Sequence, residues 1–270
     1  MNKRYAALVE MVRTAKPIIH HITNYVTVND CANITLAIGG SPIMADALEE
    51  AADITRIASA LVLNMGTLNE CTVSSMLAAG KMANKARIPV VYDPVGAGAS
   101  KFRNNTAARI LDEVKISVLR GNISEVRFLA GLQSETKGVD ASEADMQGDA
   151  VTVVKSLAAR LGCVVAVTGA VDVVSDGREV VCIENGHPKL SDITGTGCMC
   201  SSLIGSFCGA VPDRPIETTV VAILTMGIAG EIAYEMAGAA GNGSFRAALH
   251  DAVSRMDAET IIRRAKIYEA

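Results

Sequence analysis

Apolar and polar positions along this chain switch repeatedly between a helical and a strand-like spacing. Residues 5–14 read as a short helix, and residues 17–23 (Pro-Ile-Ile-His-His-Ile-Thr) read as a strand that ends in polar Thr23 and Asn24. Residues 29–38 are helical and stop at Gly39-Gly40, where a left-handed cap is natural. Residues 41–44 run extended before a helix that begins near Asp46. From there the order is regular. Short apolar runs at 60–64, 88–93, 115–120 and 163–168 predict strands, and 70–87, 106–114, 122–130 and 149–161 predict helices. Asp176-Gly177, between the runs 172–175 and 179–183, signals a hairpin. The C-terminal third is helical, with segments after Gly197, at 215–236, at 246–253, and a charged one from Asp257. Strands alternating with helices predict an α/β fold with a mostly parallel central sheet covered on both faces. No linker, charge run or repeat divides the chain, so residues 1–270 are expected to form one domain.

The segment with most chemistry is Ile193-Thr-Gly-Thr-Gly-Cys-Met-Cys-Ser-Ser202, a glycine loop running into an uncharged helix. Gly195 and Gly197 carry no Cβ, so the backbone can turn tightly and approach a ligand. Cys200, Leu203, Ile204, Phe207, Cys208 and Val211 then recur at three-and-four spacing, which predicts an amphipathic helix stopped by Pro212. A glycine loop feeding a helix start leaves N–H groups unpaired at the positive end of the dipole, the makings of an anion site. An isolated Gly-x-Gly is more often a plain turn. Here the absence of charge from Ile193 to Val211, and Cys198 in the first helical turn, favour the site. A thiol so placed is expected to titrate below its usual value of roughly 8.5 and to serve as base or nucleophile.

A second signal lies in how the parallel strands end. They finish at Asn64-Met65-Gly66, Asp93-Pro94-Val95-Gly96, Arg120-Gly121-Asn122 and Thr168-Gly169. Ligands of open α/β sheets bind beyond the carboxyl ends of the strands, and these ends offer an amide, an acid, a guanidinium and a hydroxyl. His20 and His21 are neighbours on one strand, face opposite sides, and so do not readily share a metal; at least one is expected to be a packed core histidine.

Composition narrows the chemistry. Half of the residues are hydrophobic, only 3% are aromatic and none is Trp, so the core is aliphatic. A net charge of −4 without a basic cluster argues against nucleic acid as partner. Seven cysteines at irregular spacing with four scattered histidines predict reduced thiols of a cytoplasm, with neither disulfide framework nor zinc site. The N-terminal stretch is charged and has no apolar signal core. The uncharged run after Asp192 is long enough to span a membrane, but its glycines, serines and threonines argue against that. Gly96-Ala-Gly98 after a strand suggests a dinucleotide fingerprint, yet the third glycine is replaced by Lys101 and Pro94 occupies the turn. No P-loop motif occurs. What remains is a kinase outside both classes, with Gly195, Thr196, Gly197 and Cys198 cradling the transferred phosphoryl, Arg120 on a phosphate, and Asp93 and Glu125 acting through Mg²⁺. Asn122-x-x-Glu125 is equally the pattern of a capping box, and taken alone that is its commoner meaning.

The chain resembles the hydroxyethylthiazole kinase family, a thiamine-pathway branch of the ribokinase-like superfamily, over nearly its whole length. The resemblance is carried by Ile22-Thr-Asn24, Gly39-Gly-Ser-Pro-Ile-Met44, Leu63-Asn-Met-Gly-Thr67, Asp93-Pro-Val-Gly-Ala-Gly98, Arg120-Gly-Asn-Ile-Ser-Glu125, Val167-Thr-Gly169 and Thr194-Gly-Thr-Gly-Cys198, in that order. It implies ATP- and Mg²⁺-dependent phosphorylation of the primary alcohol of 4-methyl-5-(2-hydroxyethyl)thiazole. It further implies that Met44 lines the thiazole pocket, that Gly195 sits by the substrate, and that Arg120 and Thr168 contact the nucleotide; Asn24 and Gly66 are further candidates for binding the thiazole alcohol, and Asn122 for the nucleotide. A homotrimer with active sites between subunits is implied as well. Most ribokinase-like enzymes carry Asp where this chain has Cys198, and Cys is characteristic of the narrower family. Tyr25 departs from the smaller polar residue expected after Asn24. A pyrimidine-alcohol kinase, an ADP-dependent hydrate dehydratase and a non-catalytic nucleotide-binding protein are the alternatives; Cys198 in place of Asp counts against the first two.

Overall fold

The computed structural model describes residues 2–132 and 143–270. Its framework is a nine-stranded sheet in the order β2-β1-β3-β4-β5-β6-β7-β8-β9. The strands are β1 (Ile18–Ile22), β2 (Ser41–Met44), β3 (Ala60–Asn64), β4 (Val90–Asp93), β5 (Val118–Gly121), β6 (Val164–Val167), β7 (Asp172–Ser175), β8 (Val180–Ile183) and β9 (Ile267–Glu269). Pairing is parallel from β2 through β6 and antiparallel beyond it. The α/β, mostly parallel expectation therefore holds, with an antiparallel extension at one edge.

Successive side chains of a strand face opposite sides, and this chain fills both. Leu61, Leu63, Val90 and Tyr92 join a core with α3 (Leu48–Ile57), α4 (Glu70–Ala86), α5 (Lys101–Glu113), α6 (Ile123–Leu129) and α7 (Glu143–Leu161). Ala60, Val62 and Val91 join another with α1 (Asn2–Ala15), α2 (Val28–Ile38), α8 (Thr196–Ala210), α9 (Pro215–Ala237), α10 (Asn242–Ser254) and α11 (Ala258–Arg264). Burial on both faces is why these strands read as unbroken apolar runs.

Several local expectations are met for the expected reasons. Gly39 closes α2 in the left-handed region at φ 104°, its N–H bonding Leu36 and Thr35 carbonyls. The Asp176-Gly177 hairpin joins β7 to β8 with Gly177 at φ +92°. Both histidines are packed: His20 has Nδ1 2.8 Å from Thr55 Oγ1 and Nε2 2.8 Å from the Ala45 carbonyl, and His21 has Nδ1 3.1 Å from the Ile19 carbonyl. Other boundaries move. Ser100 caps α5 by accepting from the Arg103 N–H at 3.3 Å, so that helix starts at Lys101 rather than Thr106.

Helix α8 departs from the amphipathic expectation. Every residue from Met199 to Cys208 is buried, because α8 lies between the sheet and α1, α2 and α9. The positions between its apolar seam are Ser, Gly and Cys, small enough to be enclosed. A Cβ on Gly205 would stand 2.6 Å from Val62 Cγ2, so the glycine lets α8 approach β3 closely. Full burial of Leu203, Ile204 and Phe207 stabilises the position by about 1.5–3 kcal/mol each. One helix, continuing from Pro215 to Ala240, is apolar and long enough to cross a membrane, but 83% of its apolar window is buried inside the fold.

Candidate active site

Strands β3, β4, β5 and β6 are neighbours in sequence order, so their carboxyl ends form a row, and the four polar residues predicted there join into a line of two hydrogen bonds and one ion pair. Asn64 Nδ2 donates to Asp93 Oδ2 at 2.9 Å. Arg120 Nη1 lies 3.6 Å from the same carboxylate oxygen, and its Nη2 donates to Thr168 Oγ1. Parallel register is what aligns them: Asn64 pairs with Asp93, and Arg120 with Ala166 one step before the end of β6.

The start of α8 faces this line. Gly195 takes φ +88°, and no side chain caps the helix, so its first-turn N–H groups carry no side-chain partner. A Cβ on Gly195 would lie 2.6 Å from Thr27 Cγ2, and one on Gly197 would lie 2.5 Å from Arg120 Nη1. The two glycines thus bring helix N-terminus, Thr27 and guanidinium into contact, and helix dipole and Arg120 present positive charge to the same space.

Cys198 lies in this corner as a hydrogen-bond acceptor. Asn24 Nδ2 and Asn64 Nδ2 each donate to its Sγ at 3.3 Å. Asn24 in turn donates to Asn64 Oδ1 at 2.9 Å and rests on Gly66, where a Cβ would lie 2.6 Å from Asn24 Cβ. The expectation of a lowered thiol pKa is wrong. Burial, and then the Asp93 carboxylate, push Cys198 up, and these outweigh the donors Thr27, Asn24 and Asn64 that favour the thiolate. A buried thiolate beside the Asp93 carboxylate would lose solvation and meet a like charge, and that outweighs its place in the first turn of a helix. Cys198 is therefore a thiol in the neutral range, not a preformed thiolate.

Asp93 is fully buried, and burial raises its pKa against Arg120, Ser201 and Asn64, which lower it. Its Oδ2 accepts from Ser201 Oγ at 2.8 Å, while Oδ1 is buried and has no hydrogen-bond partner among the described residues. Glu125 forms the complete capping box: its Oε2 accepts from the Asn122 N–H at 2.8 Å and Asn122 Oδ1 accepts from the Glu125 N–H at 2.9 Å. A third bond goes beyond capping, from the Gly96 N–H to Glu125 Oε1 at 2.9 Å. It ties the loop after β4 to α6. Burial raises Glu125 as well, ahead of the lowering effect of its bonds from Gly96 and Asn122. Among the described residues no group of three or more His, Cys, Asp and Glu side chains forms a metal cage.

Two cavities adjoin the cluster. One, about 530 Å³, is lined by polar and glycine residues including Arg120, Thr168, Asp172, Thr196 and Gly197 and by apolar Leu190, Ile223 and Met226. Asn122 does not line it; its side chain is taken by the capping box. A second, about 160 Å³, is lined by Met44 with His21, Thr23, Tyr25, Val28 and Thr67. Met44 is thus near the Asn24 loop but outside the polar line.

Sequence reasoning missed Ser201, although it follows Cys198 by three positions and so shares its helix face. It also missed Asp172, whose Oδ1 accepts from the Gly169 N–H at 2.9 Å and whose pKa burial lifts to about 7. The only sequence signal for Asp172 was a charge opening an otherwise apolar strand.

The family model described as hydroxyethylthiazole kinase family matches residues 9–259. A hydroxyethylthiazole kinase of Ruminiclostridium cellulolyticum is 60% identical over 269 residues, covering 99% of this chain and 98% of the relative. The solved structure of a hydroxyethylthiazole kinase protein from Pyrococcus horikoshii superposes with a TM-score of 0.89 at 41% identity, covering 98% of each chain. A Staphylococcus aureus pyridoxal kinase solved with ADP shares the fold, with a TM-score of 0.61 at 16% identity over 80% of this chain and 88% of its own. The architecture is ribokinase-like. With its strand-end line, glycine loop and Cys198 in place, the chain belongs to the hydroxyethylthiazole kinase family.

Proposed function

We propose that this chain transfers the γ-phosphoryl group of ATP, with Mg²⁺, to the primary alcohol of 4-methyl-5-(2-hydroxyethyl)thiazole in thiamine biosynthesis. The observation that carries the reading is the line Asn64–Asp93–Arg120–Thr168 lying opposite the uncapped start of α8. It offers an anion site, a cation and a buried carboxylate around one space. Phosphoryl transfer is achieved mainly by positioning and charge stabilisation, and those are what this corner supplies.

In this reading the nucleotide occupies the larger cavity, its phosphates at Arg120 and Thr168 and its base toward Ile223 and Met226. The alcohol enters from the side of Asn24, Gly66 and Met44, whose polarizable thioether suits a flat sulfur heterocycle. First-turn N–H groups from Gly195 to Cys198 hold the transferred phosphoryl. Asn24 and Asn64 occupy lone pairs of the Cys198 sulfur and so fix it beside the attacking hydroxyl. The hydroxyl keeps its proton until late, so the thiol serves chiefly to shape the site.

Asp93 and Glu125 fit a divalent cation that arrives with phosphates. The unpartnered buried Asp93 Oδ1 is an acceptor in need of a donor or cation, and both carboxyls are raised by burial, which a nearby cation would offset. Mg²⁺ is commonly held by one or two carboxylates together with phosphates and waters, and its charge would neutralise the phosphates during transfer. Asn122 supports this end indirectly by capping α6. The chain is proposed to act as one cytoplasmic domain without nucleic-acid or membrane partners. Exposed Tyr25 (79%) and Val26 (57%), which follow Asn24 in the chain, support a homotrimer with the thiazole site shared between subunits.

An ATP/Mg²⁺ assay against the thiazole alcohol and a pyrimidine alcohol, with products identified by mass, tests the reading. Phosphorylated thiazole alcohol is expected. A phosphorylated pyrimidine with untouched thiazole would replace this assignment by another ribokinase-like activity.

A further inference from the structure

Arg103 of α5 reaches beneath the loops that follow β3 and β4. Its Nη1 donates to the Met65 carbonyl and to the Val95 carbonyl, the latter at 2.7 Å, and its Nη2 donates to the Gly66 carbonyl at 2.8 Å. The arm passes Gly96, which lies at φ +74° and where a Cβ would stand 3.1 Å from Arg103 Cδ. The three acceptors are backbone carbonyls from two different loops. A planar guanidinium can bridge such a set, and the point charge of a lysine cannot.

What hangs from each loop gives the contact its meaning. The Gly66 N–H donates to Asn64 Oδ1 at 2.9 Å, Asn24 packs on Gly66, and both asparagines donate to Cys198. On the other loop, Gly96 follows Val95 and donates to Glu125 Oε1 at 2.9 Å. We propose that Arg103 is a positioning residue for the kinase reaction: it locks the loops after β3 and β4 together and so fixes the spacing between the alcohol end of the site, at Asn24 and Gly66, and the carboxylate end, at Glu125. The inference rests on the reading that Gly66 and Glu125 flank the reacting centre. It requires no contact between Arg103 and substrate. Misplacement of a site by about 1 Å can cost on the order of a hundredfold in rate, so an anchor behind the site is enough.

The test compares Arg103→Ala and Arg103→Lys with wild type in steady-state kinetics, varying the thiazole alcohol, Mg²⁺ and ATP in turn, alongside thermal unfolding. Arg103→Ala is expected to raise the alcohol KM by about tenfold or more and to raise the Mg²⁺ activation midpoint. ATP binding, which is built on β5 and β6, stays within about twofold. Millimolar guanidinium ion is expected to restore part of the lost activity to Arg103→Ala and to do nothing for wild type. Arg103→Lys keeps the charge and the aliphatic stem, and is expected to fold, to reach one loop only and to show the same KM pattern in weaker form. Unchanged alcohol and Mg²⁺ dependence overturns the proposal, whether or not the melting temperature falls, as does a loss that guanidinium leaves untouched. Glu125→Gln assayed in parallel separates the two ideas: its indifference to Mg²⁺ would remove the carboxylate from the site, while the alcohol KM of the Arg103 variants still reports on the anchor.

Discussion

Asn64 directs one amide hydrogen at the Cys198 sulfur, 3.3 Å away, and donates from the same nitrogen to Asp93 Oδ2 at 2.9 Å. One amide therefore links Cys198 to the buried carboxylate behind it. The sulfur accepts, and its raised pKa keeps it protonated.

That arrangement bears on Cys198→Ala and Cys198→Asp. General bases contribute about 10²–10⁴-fold, and a thiol that stays protonated is expected at or below the low end. Cys198→Ala should retain measurable turnover, because the proposed phosphoryl cradle is backbone N–H of α8 and does not depend on the side chain. Cys198→Asp, accepting from the same two asparagines, should equal or exceed wild type in kcat. Two folded, ATP-binding variants without turnover would show that the thiol does indispensable chemistry.

Asp93→Asn and Glu125→Gln should each raise the Mg²⁺ concentration needed for half-maximal rate. Glu125→Gln also turns an amide toward one of two backbone N–H donors, Gly96 or Asn122, at a cost of about 1 kcal/mol of the kind seen on losing a cap. A Mg²⁺ titration with a melting curve separates the effects. A lowered melting temperature with unchanged Mg²⁺ dependence would leave Glu125 as a cap alone.

Asp172 makes stability depend on pH. Burial lifts its pKa from 3.8 to about 7, so the folded chain holds this proton more tightly than the unfolded one. Its contribution is fully present below the unfolded value and is lost as pH rises through about 7. Asp172→Asn keeps an acceptor for the Gly169 N–H and removes the titration. Above pH 7 it should be more stable than wild type by roughly 2–4 kcal/mol. Thermal unfolding from acid to mildly alkaline pH should show a flatter profile for the variant, and parallel profiles would refute the assignment.

The proposed homotrimer implies that Tyr25→Asp, placing charge on the exposed apolar residues that follow Asn24, weakens assembly and thiazole turnover together. Light scattering at assay concentration reads the mass. A fully active wild-type monomer would dispose of the shared site.

By itself the sequence determined the layer order, because the alternation of apolar runs with three-and-four spacing depends only on local period. It also determined the strand ends: Asn64, Asp93, Arg120 and Thr168 follow apolar runs, and a parallel sheet has to bring such ends to one edge. It misjudged the surroundings of α8 as half-exposed, since Ser201, Ser202 and Gly205 read as a polar face and become buried only when the sheet and α9 close over them. Strand β9 and the short 3-10 turn Pro188–Asp192 went unread, because Ile267–Glu269 is a strand only by pairing with β8. The protonation of Cys198 was also beyond the sequence. Its place at a helix start is local, but the burial and the Asp93 charge that reverse the expected shift come from β4, 105 positions earlier in a chain of 270. Arg103 was silent for the same reason: its partners are backbone carbonyls, which every residue has, and only the fold says which ones it meets.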